Sequence, residues 1–97
     1  MTKKLPPLHP GEVLREEFLI PLELTAYRLA KLLNVPRTRI ERLEREETPV
    51  TADTAHRLAR YFGTTPQFWI NLQTDYDLRM AAAEKSKQYD RIGPRAA

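Results

Sequence analysis

The sequence predicts an all-α domain of five helices, on three observations. Apolar residues recur at helical spacing in successive segments. Each segment is opened or closed by a Thr, Asn, Pro or Gly of the kind that caps a helix. No stretch carries the period-two alternation of a half-buried strand, and the short connections imply compact, sequential helix packing.

Residues 1–8 are proline-broken and expected to be flexible. A first helix should follow Pro10 and Gly11. Glu12, Glu16 and Glu17 come early, where the helix dipole favours acids, and Val13, Leu14, Phe18 and Leu19 form its apolar face. Pro21 should end or kink it. Thr25 is a plausible N-cap for a second helix with Leu29, Ala30 and Leu33 facing inward. Asn34 tolerates the left-handed conformation that closes a helix, Val35 plugs the corner, and Pro36 suits the start of a third helix. That third helix carries Ile40 and Leu43 as inward anchors. Two short helices joined at such a corner are the helix-turn-helix pattern, whose second helix can enter the DNA major groove.

The remaining elements follow from the same signals. Thr51 should cap a fourth helix with Ala55, Leu58, Ala59 and Phe62 inward and Gly63 as its stop. Thr65 and Pro66 open a fifth, long and aromatic helix in which Phe68, Trp69, Leu72, Tyr76 and Met80 keep helical spacing. The organisation expected is a helix-turn-helix domain with a C-terminal dimerisation helix over residues 9–84, then a basic, disordered tail over residues 85–97.

What the third helix shows to solvent bears on function. At about 100° per residue, Thr38, Arg42 and Arg45 point away from Ile40 and Leu43, with Arg37 and Arg39 on the flanks. The arginine fork can grip a guanine edge or a phosphate with two bonds, and Thr38 is short enough to meet a base. The alternative is a solvated charged face, with Glu41, Glu44, Glu46 and Glu47 pairing with these arginines.

Composition narrows the classes. Ninety-seven residues fit one small domain, and 41% hydrophobic content allows one modest core. A net charge of +3 with a pI near 9.4 permits nucleic-acid binding without requiring it. There is no cysteine, no apolar run long enough for a membrane span and no secretion-signal h-region, so a cytoplasmic location is expected. His9 and His56 lack partners at ligand spacing, so no metal site is expected. Asp53, Asp75 and Asp77 read as cap, solvent and dipole partners. No nucleophile–base constellation or phosphate loop stands out, so neither an enzyme nor a cofactor is expected. Trp69, with Phe68, Leu72 and Tyr76, fits either ordinary core or a homodimer seam. A dimer would supply two half-sites about one DNA turn apart.

Four stretches carry a family resemblance: HPGEVLREEFL at 9–19, RLAKLLNVPRTRI at 28–40, TADTAHRLARYFGTTPQFWINLQTDYDL at 51–78, and IGPRAA at 92–97. Together they resemble the HigA-type antitoxins, within the Xre/Cro (lambda repressor-like) helix-turn-helix proteins. The resemblance implies an antitoxin that neutralises a HigB toxin, a RelE-like ribonuclease that cleaves messenger RNA. It also implies a dimer that binds operator DNA and represses its own operon. By position it places DNA contacts on Pro36, Arg37, Thr38, Arg39 and Arg42, and a phosphate at the helix N-terminus formed by Thr25 and Ala26. Many relatives carry Gly, then Lys or Arg, where this chain has Glu46 and Glu47. A glycine there would take a left-handed cap, and two carboxylates would repel phosphate, which shifts the expected contact to Arg45. Pro36 likewise stands in place of a usual Ser or Thr. A stand-alone regulator without a toxin, and a protein-binding adaptor with a degenerate helix-turn-helix, are the alternative functions.

Overall fold

The structure, a computed structural model, describes residues 6–96. Of the segment expected to be flexible, residues 1–5 lie outside the described residues, and residues 6–8 adopt no regular secondary structure. The described chain is all-α, in the order α1 (Pro10–Val13), a π-helical segment (Leu14–Leu19), α2 (Ala26–Leu33), α3 (Arg37–Glu44), α4 (Ala52–Phe62) and α5 (Pro66–Asp90).

The helix ends follow from capping chemistry. Thr25, Thr51 and Thr65 each accept a bond through the side chain from the backbone N–H three residues on, which satisfies a donor the helix cannot. Asn34 (φ 59°) and Gly63 (φ 73°) close α2 and α4 in the left-handed conformation. Pro36 is the N-cap of α3 and supplies no side-chain bond, so that helix starts without a polar lid.

The first helix departs from the sequence expectation. After Val13 the backbone widens into a π-helical segment, with Ile20 N–H bonding to the Arg15 carbonyl five residues back. Five residues apart on an α-helix, Leu14 and Leu19 would point roughly 140° apart. The wider turn brings both onto the core side, where they are buried. Glu23 (φ 51°) then turns the chain towards α2.

One core holds these elements. Leu14, Leu29, Ile40, Leu43, Leu58 and Trp69 are its large, fully buried side chains, and Val35 packs against it at the corner as expected. Gln73 is the buried polar residue that ties the α3–α4 connector to α5. Its Oε1 accepts from Val50 N–H (2.8 Å) and its Nε2 donates to Asp77 (2.9 Å). The basic tail expected from Lys85 is instead helical to Asp90, with the helical backbone interrupted at Lys85 itself. Every residue from 82 to 96 is exposed. No helix among the described residues is long and apolar enough to cross a membrane.

Candidate nucleic-acid interface

The recognition helix α3 is held from beneath by Ile40 and Leu43, which are 0% and 1% exposed. Its C-terminal end is gripped by the first helix. His9 caps α1 by accepting the Gly11 N–H on Nδ1 (2.9 Å), and its ring meets Tyr76 of α5 edge-on at 4.8 Å. Gly11 lies so close to α3 that a Cβ there would collide with the Leu43 carbonyl. Arg15 then donates through Nη1 to the Glu44 carbonyl (2.6 Å), satisfying an acceptor that the end of α3 leaves open. Its Nη2 bonds to Glu46 (3.1 Å), and this bond, more than any other contact, holds the guanidinium above its usual value.

Glu46 (φ 64°) takes the left-handed conformation that a glycine would take at this position, without the ease a glycine brings. Its carboxylate is turned back onto Arg15. The repulsion expected between Glu46 and a phosphate is therefore partly cancelled within the chain.

The arginines of α3 and its C-cap divide into two groups. Arg42 and Arg45 are exposed and form no ion pair among the described residues. Thr38 is exposed beside Arg42 in a cleft of about 500 Å³, which runs from α3 to the α3–α4 connector and the start of α4. Arg37 and Arg39 are instead paired with the chain's own acids. Arg37 lies 3.4 Å from Glu41 and over the exposed Tyr27 ring at 5.6 Å. The Tyr27 ring also carries the Lys31 ammonium at 4.8 Å, and the approach of Lys31 is the main reason the phenol is held below its usual value. Arg39 Nη1 meets Asp53 Oδ2 at 2.6 Å, and the same oxygen accepts from Arg57 Nε at 2.9 Å. Arg57, followed by Arg39, keeps the Asp53 carboxyl below the usual carboxylate range. The solvated-face alternative thus describes the first turn of α3, whereas the outward face beyond it stays open.

Ala26 is buried, so it can offer a phosphate only its backbone N–H beside the Thr25 cap. Of the two readings of Trp69, the single chain matches ordinary core. The side chain is 0% exposed within the single chain, packs between Phe18 (5.2 Å) and Phe68 (5.1 Å), and donates its indole N–H to Thr64 (2.8 Å). Phe68 is exposed, while Leu72 and Tyr76 are half-buried.

Sequence reasoning missed Arg15, Tyr27, Lys31 and Arg57. The Asp53–Arg57 and Tyr27–Lys31 pairs have a local signal, their i, i+4 spacing, and Arg15 has none.

A small all-α chain with a bihelical corner and an open, arginine-bearing second helix defines a helix-turn-helix protein. The helix-turn-helix family model (HTH_3) matches residues 14–69, more than half of the chain, and the chain belongs to that family. Its neighbours within the family include HigA antitoxins. Antitoxin HigA-1 of Vibrio cholerae is 39% identical over 72 residues, covering 74% of this chain and 68% of the relative. The structure of Pseudomonas aeruginosa antitoxin HigA with the higBA promoter superposes with a TM-score of 0.89 at 43% identity, covering 93% of this chain and 99% of that one. Virulence-associated protein I of Dichelobacter nodosus is 54% identical over 82 residues, covering 84% of this chain and 76% of the relative.

Proposed function

We propose that the chain is a HigA-type antitoxin that binds operator DNA as a dimer and neutralises a HigB/RelE-like, mRNA-cleaving toxin. The observation that carries the DNA-binding part is the open face of α3, where Arg42 and Arg45 lack partners among the described residues and Thr38 stands beside them. A major groove is wide enough for such a helix, and those side chains suit a guanine edge, a phosphate and a thymine methyl. Arg37 joins by exchanging Glu41 for DNA, and Arg39 joins through the Nε–Nη2 edge that its bond to Asp53 leaves free. Pro36 leaves the first turn of α3 without a side-chain lid, and Thr25 and Ala26 offer the start of α2 to a phosphate. Phe68 and Leu72 keep surface for a second copy, which would pair two α3 helices on an inverted repeat. The HigA relatives at 39% and 43% identity support the toxin partnership.

The test has two arms. Fluorescence anisotropy against a duplex from the region upstream of its own gene should show binding stronger than to random sequence. Binding should weaken steeply as salt rises, because phosphate contacts release counterions. Co-expression with the product of the neighbouring gene should give a co-purifying complex and rescue growth. Binding without rescue would leave a regulator that acts on DNA alone. Rescue without binding would leave a protein-binding adaptor.

A further inference from the structure

We propose that Asp53 is a specificity-determining residue for DNA binding and that it acts through Arg39; this rests on the DNA-binding reading of α3. Asp53 is an acid on a face proposed to meet a polyanion, which is the wrong sign for affinity. It is exposed, in the first turn of α4, and lines the same cleft as Thr38 and Arg42. Its Oδ2 receives Nη1 of Arg39 at 2.6 Å and Nε of Arg57 at 2.9 Å. Arg57 in turn donates Nη1 to the Leu33 carbonyl, the last residue of α2, at 2.9 Å. A continuous bonded chain therefore runs from the end of the first helix of the corner, through Arg57 and Asp53, to the guanidinium of Arg39.

Two consequences follow from the chemistry. A guanidinium has five N–H donors in a rigid plane. Asp53 takes one of them and leaves the Nε–Nη2 edge, the edge suited to a two-bond grip, held at the cleft. At the same time Asp53 cancels a positive charge that would otherwise attract any phosphate regardless of sequence. Both effects favour a correctly shaped site over random DNA. Neither raises affinity in general, which accounts for an acid at this position.

The experiment compares the wild type, Asp53→Asn, Arg39→Ala and the double variant. Each is titrated with the upstream duplex and with a random-sequence duplex over a range of salt. Asp53→Asn should tighten binding to the random duplex and make its log K against log salt slope steeper by about 0.9, the value for one additional phosphate contact. The ratio of specific to non-specific affinity should fall about fivefold or more, the size of one base contact. In the Arg39→Ala background the same substitution should leave the ratio unchanged. An unaltered ratio in Asp53→Asn, or an equal change with and without Arg39, overturns the proposal. If the wild type itself prefers no duplex, the DNA-binding reading fails and takes this inference with it. A wild type with clear preference and an indifferent Asp53→Asn sinks this inference alone. Unchanged circular dichroism and melting temperature in the variants separate these outcomes from a folding defect.

Discussion

Two helices hold most of their surface outside the core, and they do so on different terms. α3 is eight residues long, yet two anchors, a backbone contact from Gly11 and a bond from Arg15 fix it at both its inner face and its end. α5 has 25 residues, but its buried residues are Trp69 and Gln73, and from residue 82 onward it is entirely exposed. Length therefore does not measure how firmly a helix is positioned. A short, strongly charged helix becomes a fixed reading surface when neighbouring elements hold its underside and its terminus.

The two halves of α5 give the largest expected contrast. Trp69→Ala empties the centre of the core and should cost about 4 kcal/mol in a denaturant melt. Leu78→Ala, at an exposed position of the same helix, should stay within about 0.5 kcal/mol. Comparable losses at both positions would mean that distal α5 is packed against something in solution.

A smaller effect is expected where the first helix holds α3. Gly11→Ala sets a methyl against the Leu43 carbonyl, a backbone atom that cannot swing aside, and should cost about 2 kcal/mol or more. Chemical-shift changes should centre on residues 43–46. A neutral Gly11→Ala would show that α1 can shift without disturbing α3.

A pH dependence sharpens the same point with a smaller amplitude. Burial lowers the His9 imidazole below its usual value, against the raising pull of Glu46 and Asp77. The unfolded chain then binds more protons at this site than the folded one. The contribution is present above about pH 6.5 and is lost as pH falls through the depressed folded value. A protonated Nδ1 also cannot accept the Gly11 N–H, so protonation removes the α1 cap as well. Thermal melts between about pH 7.5 and pH 5 should show the loss. His9→Asn, whose side chain can also cap, should flatten it. An unchanged slope in His9→Asn would place the titration elsewhere.

Much of the fold was legible because its signals are local. Thr25, Thr51, Thr65, Asn34 and Gly63 act at the ends they punctuate, and a cap involves residues within about four positions of itself. The left-handed backbone at Glu46 carries no such signal, because the chain has a glutamate where a glycine would have marked it. The π-helical turn was not legible either, since its cause is the need to bury both Leu14 and Leu19 against residues far along the chain. Helical spacing put Trp69 with Phe68, Leu72 and Tyr76 but could not say whether a ring faces its own chain or a second copy. The pairing of Arg39 with Asp53 spans 14 residues and exists only once α4 is placed beside α3. The outward direction of Arg42 and Arg45 was readable from the angle they make with Ile40 and Leu43, whereas the sequence left open whether an acid would pair with them.

The most direct test of α3 as a reading surface is the affinity of Arg42→Ala for the upstream duplex and for its single-base variants. The expected result is a loss of roughly 1–3 kcal/mol on the preferred sequence, with relaxed preference at one base pair and an unchanged melting temperature. Full affinity and full preference in Arg42→Ala would contradict it.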